Sequence, residues 1–386
     1  MKDYQYLQQK YLINTYPNRG LNLVFGKGVF LYDDKGNKYL DLMSNYGVNI
    51  FGYNQPVISK SIITQWKKLP TLHCSFVNDV RALAAEKLVE RYGGGLDQVY
   101  FSNSGTEAIE AALKFAVLAT GKKKFIAFRK GYHGKTLGAL SATDGEKYRE
   151  HFEPLLWNFK HINYNDIPSL EKVIDNDISA LIIEPIQGEG GIIVPDTGYL
   201  KKTREICSEH GILLIIDEIQ TGVGRTGLFL ASQSEEISYD IVCLGKGLAG
   251  GIPIGATLVS KEISLKIPKA VHSSTFGGNP LACAGILATL ELLDEKVLNH
   301  IKNLGDYFID QLKLIKSDLV KQIHGRGLMI GIEVNDQRNE ILKKLQQNKI
   351  LAIPAGENVI RFLPPYIINK KQINFVVEKL KDILVS

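Results

Sequence analysis

The chain has 386 residues, of which 45% are hydrophobic and 23% charged, a composition typical of a globular protein with one large domain and a smaller one. Its formal net charge of +5 is small and its basic residues are scattered, so we expect no nucleic-acid partner. No apolar run reaches the roughly 20 residues that a membrane-spanning helix needs, and the N-terminal segment lacks a secretion signal, so we expect a cytoplasmic protein without membrane contact.

Residues 1–45 are predicted to pack with a smaller C-terminal domain. Within them, the segment GVFLYDDKGNKYLDL predicts a β-hairpin with its turn at residues 34–37. Turn-forming residues at that point separate two short alternating segments, which favours this interpretation.

Residues 46–275 are predicted to form a large α/β domain, because short apolar segments alternate there with amphipathic ones. The segments in question are DQVYFS, TEAIEAALKFAVLATG, KFIAF, ISALIIEPI, YLKKTREICSEHG, ILLIIDEI and DIVCLG. This order indicates a mostly parallel sheet with helices on both faces, which binds ligands at the carboxyl ends of its strands. Residues 276–386 carry long helical patterns and then the short strands GLMIGIEV and VIRFLPP, so we predict a smaller α+β domain.

A G-x-G-x-x-G pattern at Gly222, Gly224 and Gly227 follows one of the apolar strands. A dinucleotide-binding loop would place a glycine directly after the strand and would open a helix. This strand instead ends in Asp217 and Glu218, and the segment after the glycines has no apolar helical face. We therefore do not predict a dinucleotide site.

Two residues at strand ends suggest carbonyl chemistry. Asp217 ends a buried strand and needs a cationic partner, because an unpaired buried carboxylate is energetically costly. An ordinary structural ion pair would satisfy this need, and Lys246 is a second candidate for the partner. Lys246, in DIVCLGKGLAGG, is surrounded by glycine and apolar residues. Such surroundings lower the pKa of an amine, as condensation with a carbonyl group requires, although a solvated surface lysine stays the alternative.

The segment VYFSNSGTEAIEAALKFA predicts a strand, a turn and a helix that begins near Gly105 and Thr106. Backbone amides at the helix start and the hydroxyls of Ser104 and Thr106 would form a phosphate site, and a simple N-cap is the alternative. A phosphate site, a buried lysine and a strand-end aspartate are together the components of a pyridoxal 5′-phosphate site. The four cysteines are far apart in the sequence and form no C-x-x-C pair, so we predict reduced thiols and no metal site.

The chain resembles the class-III, or ω-, aminotransferases of the aspartate-aminotransferase fold along nearly its whole length. Eight motifs occur in the family's order and at its spacings: NSGTEA, YHGKTLGALSAT, EPIQGEGG, DEIQTGVGRTG, GKGLAGGIPIGA, STFGGNPLA, RGLMIGIEV and IRFLPP. The resemblance implies a large, mostly parallel sheet domain with a smaller α+β domain, pyridoxal 5′-phosphate as cofactor, and transaminase activity. It also accounts for the G-x-G-x-x-G pattern as a turn of the family.

The resemblance also implies roles for individual residues. Lys246 would bond to the cofactor and then carry a proton as acid and base, while Asp217 would keep the pyridine nitrogen protonated. The other cofactor-binding residues that it implies are Ser104, Gly105 and Thr106 at the phosphate, Tyr132 on the ring face, Gln220 at the ring oxygen, and Thr275, which would reach the phosphate of a neighbouring subunit. A homodimer with shared active sites follows. Glu184 and Arg225 match family positions as structural supports.

Substrate binding is implied for four residues. Glu189 and Arg361 would pair while the amine donor reacts and then separate, so that Arg361 binds the α-carboxylate of 2-oxoglutarate; Ser274 would line the same site. Lys135 stands where acetylornithine, ornithine and 4-aminobutyrate enzymes generally carry an arginine for the distal carboxylate. A lysine offers a point charge instead of a planar pair of donors.

Two amine donors are candidates. The length and short N-terminal segment resemble acetylornithine aminotransferases, so we predict transfer of the terminal amine of N-acetylornithine, or an ornithine-like donor, to 2-oxoglutarate, in arginine or lysine biosynthesis. YHGKTLGALSAT and STFGGNPLACA resemble putrescine aminotransferases, so diamine transfer is the alternative. A glutamate-1-semialdehyde-type aminomutase needs no external acceptor, and the presence of Glu189 and Arg361 argues against it.

Overall fold

The N-terminal part of the computed structural model, which describes residues 3–385, contains a helix and a three-stranded meander. Helix α1 (Tyr4–Tyr11) precedes the antiparallel strands β1 (Leu23–Lys27), β2 (Phe30–Asp33) and β3 (Lys38–Asp41). The predicted hairpin is confirmed as β2 and β3. Its turn is closed by the Asp33 carboxylate, which accepts hydrogen bonds from the backbone N–H groups of Lys35 and Asn37 at 3.0 and 2.7 Å.

A seven-stranded sheet forms the centre of the molecule. Helices α2 (Ser44–Gly47), α3 (Pro56–Lys68) and α4 (Asp79–Tyr92) lead to it. Its strands are β4 (Gln98–Ser102), β5 (Lys124–Phe128), β6 (Asn158–Ile162), β7 (Ile178–Ile183), β8 (Leu213–Asp217), β9 (Ile241–Leu244) and β10 (Gly255–Val259). Their spatial order is β4-β10-β9-β8-β7-β5-β6, and neighbours pair in parallel except at β10, which is antiparallel to β4 and β9. The predicted mostly parallel sheet is therefore confirmed.

Both faces of this sheet are buried. Ile126, Leu181 and Leu214 belong to one hydrophobic core, whereas their chain neighbours Phe125 and Ile215 belong to a second one. Successive strand residues point to opposite faces, so continuous apolar strands supply both cores. The covering helices are α5 (Gly105–Thr120), α6 (Leu137–Ala142), α7 (Glu146–Arg149), α8 (Ile167–Glu171), α9 (Tyr199–Glu209) and α10 (Lys261–Leu265).

The C-terminal part combines helices with a second sheet. Its elements are α11 (Pro280–Leu292), α12 (Glu295–Lys313), β11 (Val320–Arg326), β12 (Met329–Val334), α13 (Arg338–Gln347), β13 (Ile350–Leu351), β14 (Ile353–Ala355), β15 (Val359–Phe362) and α14 (Lys370–Val385). Strands β11, β12, β15 and β14 form an antiparallel sheet. The predicted helices and short strands of this region are thus confirmed.

The N-terminal meander is bonded to the C-terminal part. Strand β13 pairs in parallel with β3, and the backbone N–H of Leu363 donates to the carbonyl of Leu42 at 2.7 Å. The division of the chain at residues 45 and 275 stays a prediction. No helix within residues 3–385 is long and apolar enough to cross a membrane.

Candidate active site

The sequence-predicted residues lie at one edge of the central sheet. Asp217 is the last residue of β8, Lys246 follows β9, and Glu184 follows β7. Ser104 follows β4, and the segment that carries Tyr132 follows β5. Because these five strands run in the same direction, their carboxyl ends meet at the same edge, where such sheets bind ligands.

Close backbone packing brings three of these loops together. A Cβ atom on Gly245 would lie 3.2 Å from the Cα of Gly105, so the loop of Lys246 rests on the start of α5. A Cβ atom on Gly134 would overlap the hydroxyl of Thr106. The loops that carry the lysine and Tyr132 therefore both meet the start of α5.

The start of α5 combines an N-cap with free amides. The Ser104 hydroxyl accepts a hydrogen bond from the backbone N–H of Glu107 at 3.3 Å. Ser104 is therefore the N-cap of this helix, as the alternative interpretation predicted. Gly105 and Thr106 are the first helical residues, whose N–H groups find no partner inside a helix. The Thr106 hydroxyl lies 2.8 Å from that of Thr136. Free amides and the positive end of the helix suit a phosphate group.

Asp217 pairs with a histidine. Its Oδ2 atom lies 2.7 Å from Nδ1 of His133, and its Oδ1 atom accepts a hydrogen bond from the backbone N–H of Ile219 at 3.0 Å. Both side chains are buried. The prediction that Lys246 is the direct partner of Asp217 is therefore wrong. His133 stands inside the motif YHG, but a single histidine after a strand carries no signal that would identify this contact from sequence.

Lys246 is a partly buried amine in a strained backbone position. Burial lowers the pKa of its amine to about 8, and the nearby Glu189 carboxylate opposes this effect. Its φ angle of +46° lies in the left-handed region, which is uncommon for non-glycine residues. A fraction of the amine is thus neutral near physiological pH, as nucleophilic attack on a carbonyl requires.

Glu184 holds two loops of the site. Its carboxylate accepts hydrogen bonds from the backbone N–H groups of Tyr132 at 2.8 Å and Gly188 at 3.0 Å. Burial raises the pKa of Glu184, while the charge of His133 opposes the rise. The half-buried ring of Tyr132 packs edge-on against Tyr148, with ring centres 5.7 Å apart, and burial raises the pKa of Tyr132 to about 12. These contacts agree with a supporting role for Glu184.

Glu189 and Arg361 form an ion pair, with Oε1 of Glu189 2.7 Å from Nη2 of Arg361. Arg361 lies on β15 and is fully buried, and its Nη1 donates to the side-chain oxygen of Gln220 at 3.0 Å. Burial tends to raise the pKa of Glu189, but the charges of Arg361 and Lys246 outweigh this and lower it. Gln220 therefore contacts the arginine, and its predicted contact with the ring oxygen of the cofactor stays a prediction.

Three other sequence-predicted residues lie near the surface. The Ser274 hydroxyl accepts hydrogen bonds from the side-chain amide of Asn103 and the backbone N–H of Gly277, both at 3.0 Å. Thr275 is exposed. Lys135 is also exposed, and its ammonium group lies 5.2 Å from the ring centre of Tyr148.

The glycine pattern after β8 forms a turn that opens no helix. Gly224 and Gly227 have φ angles of 90° and 89°, and the next regular element is a short 3-10 helix at Ala231–Glu235. A Cβ atom on Gly227 would lie 2.9 Å from the Cβ of Lys302 on α12. The glycines thus permit close packing against α12, which agrees with the rejection of a dinucleotide loop.

Arg225, within the same turn, is fully buried without a carboxylate partner in the described part of the chain. Its Nη1 donates to the carbonyl oxygens of Leu328 and Pro364 at 3.0 and 2.7 Å. These bonds tie the turn to the C-terminal part, which agrees with the structural role expected of Arg225.

The functional groups at this edge of the sheet suit pyridoxal 5′-phosphate. An amine with a lowered pKa, a carboxylate held by a histidine, an aromatic ring and a helix start with free amides lie at one edge of the sheet. A cavity of about 770 Å³ adjoins this site and is lined by Tyr132, Lys147, Tyr148 and Glu189, among others. It provides space for a substrate next to the proposed cofactor position.

Comparison with known proteins gives a consistent result. Residues 14–384 match the family model described as aminotransferase class-III. The chain is 41% identical over 386 residues to an acetylornithine aminotransferase of Methanopyrus kandleri, covering 99% of each chain. It is 42% identical over 381 residues to one of Aquifex aeolicus, covering 97% of this chain and 100% of the relative. A crystal structure of ornithine aminotransferase from Toxoplasma gondii ME49 is 34% identical with a TM-score of 0.95, covering 99% of this chain and 94% of that one. The protein belongs to the class-III aminotransferases, which are transaminases that depend on pyridoxal 5′-phosphate.

Proposed function

We propose that the protein transfers the terminal amine of N-acetylornithine, or of a similar ornithine-like donor, to 2-oxoglutarate, giving the semialdehyde of the donor and glutamate. The observation that carries this proposal is the ion pair between the buried Arg361 and the partly exposed Glu189. A paired arginine suits a donor without a carboxylate next to the reacting amine. The same arginine, once released, suits an acceptor that has one.

Pyridoxal 5′-phosphate, when bound, supplies the aldehyde that takes up the amino group and the ring that accepts an electron pair. Lys246 would remove the proton from the substrate carbon that bears the amine and return it to the cofactor side. Its lowered pKa supports this role, because a group that exchanges protons works best with a pKa close to the working pH.

Asp217 would bind the protonated ring nitrogen. His133 and the backbone N–H of Ile219 hold its carboxylate in one orientation. A charge that is already oriented costs little reorganisation during the reaction. Tyr132 would contact the ring face. The side-chain oxygen of Gln220 accepts a hydrogen bond from Arg361, so its NH2 group would donate to the ring oxygen.

The phosphate group would bind to Ser104, Gly105 and Thr106 at the start of α5, with Thr275 of a neighbouring subunit completing the site. The exposure of Thr275 supports this proposal, because a side chain that serves another subunit must lie on the surface of its own. Homodimer formation and a cytoplasmic location stay predictions from the sequence.

Names of the relatives support the choice of donor, since the two proteins that are 41% and 42% identical are acetylornithine aminotransferases. Diamine transfer is not favoured. From the names of these relatives we also propose that the protein acts in arginine or lysine biosynthesis.

The experiment that tests this function is a single-turnover titration of the cofactor-loaded enzyme with N-acetylornithine, ornithine and putrescine, followed by the change in cofactor absorbance. We expect N-acetylornithine to react at least tenfold faster than putrescine, a difference of about 1.4 kcal/mol in activation free energy. Faster reaction of putrescine would replace the donor assignment with a diamine. Formation of glutamate from 2-oxoglutarate distinguishes a transferase from a mutase.

A further inference from the structure

Two lysines, Lys135 and Lys147, approach the ring of Tyr148 at the edge of the site. The ammonium groups of Lys135 and Lys147 lie 5.2 and 4.6 Å from the ring centre of Tyr148. Both lysines are exposed, and within residues 3–385 neither forms an ion pair with a carboxylate. An aromatic ring attracts a cation without neutralising it, so both positive charges remain available to a ligand.

The backbone that carries Lys147 and Tyr148 is held by several hydrogen bonds. Lys147 and Tyr148 lie on α7, whose last residue, Arg149, donates from Nη1 to the carbonyl oxygens of Ser141 and Thr143, both at 3.0 Å. Immediately before α7, the Asp144 carboxylate accepts a hydrogen bond from the backbone N–H of Lys130 at 2.7 Å. The backbone N–H of Asp144 also donates to the carbonyl of Gly131 at 2.9 Å. Helix α7 is therefore held against the loop that carries Tyr132.

Lys147 faces the space where the substrate would lie, whereas Lys135 is not among the residues that line the cavity. Tyr148 packs against Tyr132, the proposed contact of the cofactor ring, and Lys147 lines the 770 Å³ cavity together with Glu189. The charge of Lys147 is also among those that lower the pKa of Glu189. An anionic group of a donor bound in this cavity would thus lie within reach of Lys147 while Glu189 still occupies Arg361.

We propose that Lys147, held over Tyr148 at the wall of this cavity, binds the distal carboxylate of the amine donor and determines specificity for donors that carry one. This inference rests on the proposed function and explains how the site works without the arginine that the family resemblance implies at position 135. One ammonium is a point charge that cannot match both oxygens of a carboxylate in the way a guanidinium can. Lys147 supplies such a charge from a segment that lines the cavity, in place of a guanidinium at position 135.

The test compares the cofactor-loaded wild-type enzyme with Lys147→Gln, using N-acetylornithine and putrescine as donors. We expect the substitution to raise KM for N-acetylornithine about tenfold, the effect of losing one charged contact, with kcat changed less than about twofold. The kcat/KM for putrescine should change less than about twofold, because putrescine has no carboxylate that could use this site. Lys147→Arg should restore most of the affinity.

Lys130→Gln is the matched control, since Lys130 lines the same cavity and its loss removes the same charge. We expect it to leave the ratio of the two donors unchanged. An equal loss for both donors in Lys147→Gln, no loss at all, or the same shift in Lys130→Gln would overturn this inference and leave the proposed function standing. A wild-type enzyme that uses putrescine and not N-acetylornithine would overturn both.

Discussion

Single residues of the site combine a chemical role with a cost to stability. Lys246 is the clearest case, because its amine is removed from water and its backbone has a positive φ angle. Asp217 avoids a similar cost through His133 and Ile219, and Arg361 avoids it through Glu189 and Gln220. Buried charges of this kind persist when they are paired and hydrogen-bonded.

Lys246→Met should stabilise the cofactor-free protein in a pH-dependent way. Because the pKa of this amine is about 8 in the folded chain and 10.5 without burial, folding disfavours its protonated form. The wild-type protein bears this cost fully below pH 8 and loses it progressively as the pH rises towards 10.5. We expect the variant to have a free energy of unfolding higher by on the order of 2 kcal/mol at pH 7, and by much less at pH 10.

Urea unfolding of both proteins at equal concentration, at pH 7 and pH 10, measures this difference. Lys343→Met, at an exposed position on α13, is the control and should change stability by less than about 0.5 kcal/mol. A Lys246→Met protein that is no more stable than wild type at pH 7 would contradict the lowered pKa.

At the scale of elements, the start of α5 shows how a helix can serve both stability and binding. Ser104 caps the helix, and Gly105 allows Ile219, from the loop after β8, to lie against it. A Cβ atom on Gly105 would lie 2.8 Å from Cγ2 of Ile219. Glycine at this helical position is thus required by the neighbouring loop, since alanine is otherwise the better helix former.

Gly105→Ala should weaken cofactor binding through this contact. Accommodation of the methyl group requires movement of either the helix start or Ile219, at a cost of about 1–3 kcal/mol. We therefore expect the dissociation constant for pyridoxal 5′-phosphate, measured by equilibrium titration, to rise about tenfold or more. The double variant Gly105→Ala with Ile219→Ala removes the clash and should recover most of the affinity for the cofactor. If the single and the double variant bind the cofactor equally weakly, the contact with Ile219 is not the cause.

At the scale of the whole molecule, the site is assembled from distant parts of the chain. Arg361 comes from the C-terminal sheet, Glu189 follows β7 of the central sheet, and the N-terminal meander is joined to the C-terminal part through β3 and β13. Thr275 extends this principle to a second subunit, if the proposed dimer forms.

Mixed dimers test the proposed contribution of Thr275. Homodimers of Lys246→Ala should be inactive, and homodimers of Thr275→Ala should bind the cofactor about tenfold more weakly. A dimer of one Lys246→Ala chain and one Thr275→Ala chain would contain one complete site, because the first chain supplies its threonine to the second. Two-tag purification of mixed dimers should therefore recover about half of the wild-type activity per dimer at a low cofactor concentration. No recovery would place Thr275 within its own subunit.

The sequence by itself determined the alternating strands and helices, the family, and the kinds of residue in the site. Apolar periodicity is a local property, so ILLIIDEI predicts β8 and its terminal Asp217 without knowledge of the rest of the chain. The tertiary structure alone decided which side chains meet. His133 and Asp217 are 84 positions apart and Gln220 and Arg361 are 141 apart, and no local pattern links the members of either pair. The position of Lys147 in the same cavity as Glu189 likewise depends on how α7 packs against the loop after β5. These contacts depend on the order of strands in the sheet and on loop packing, which arise from interactions along the whole chain.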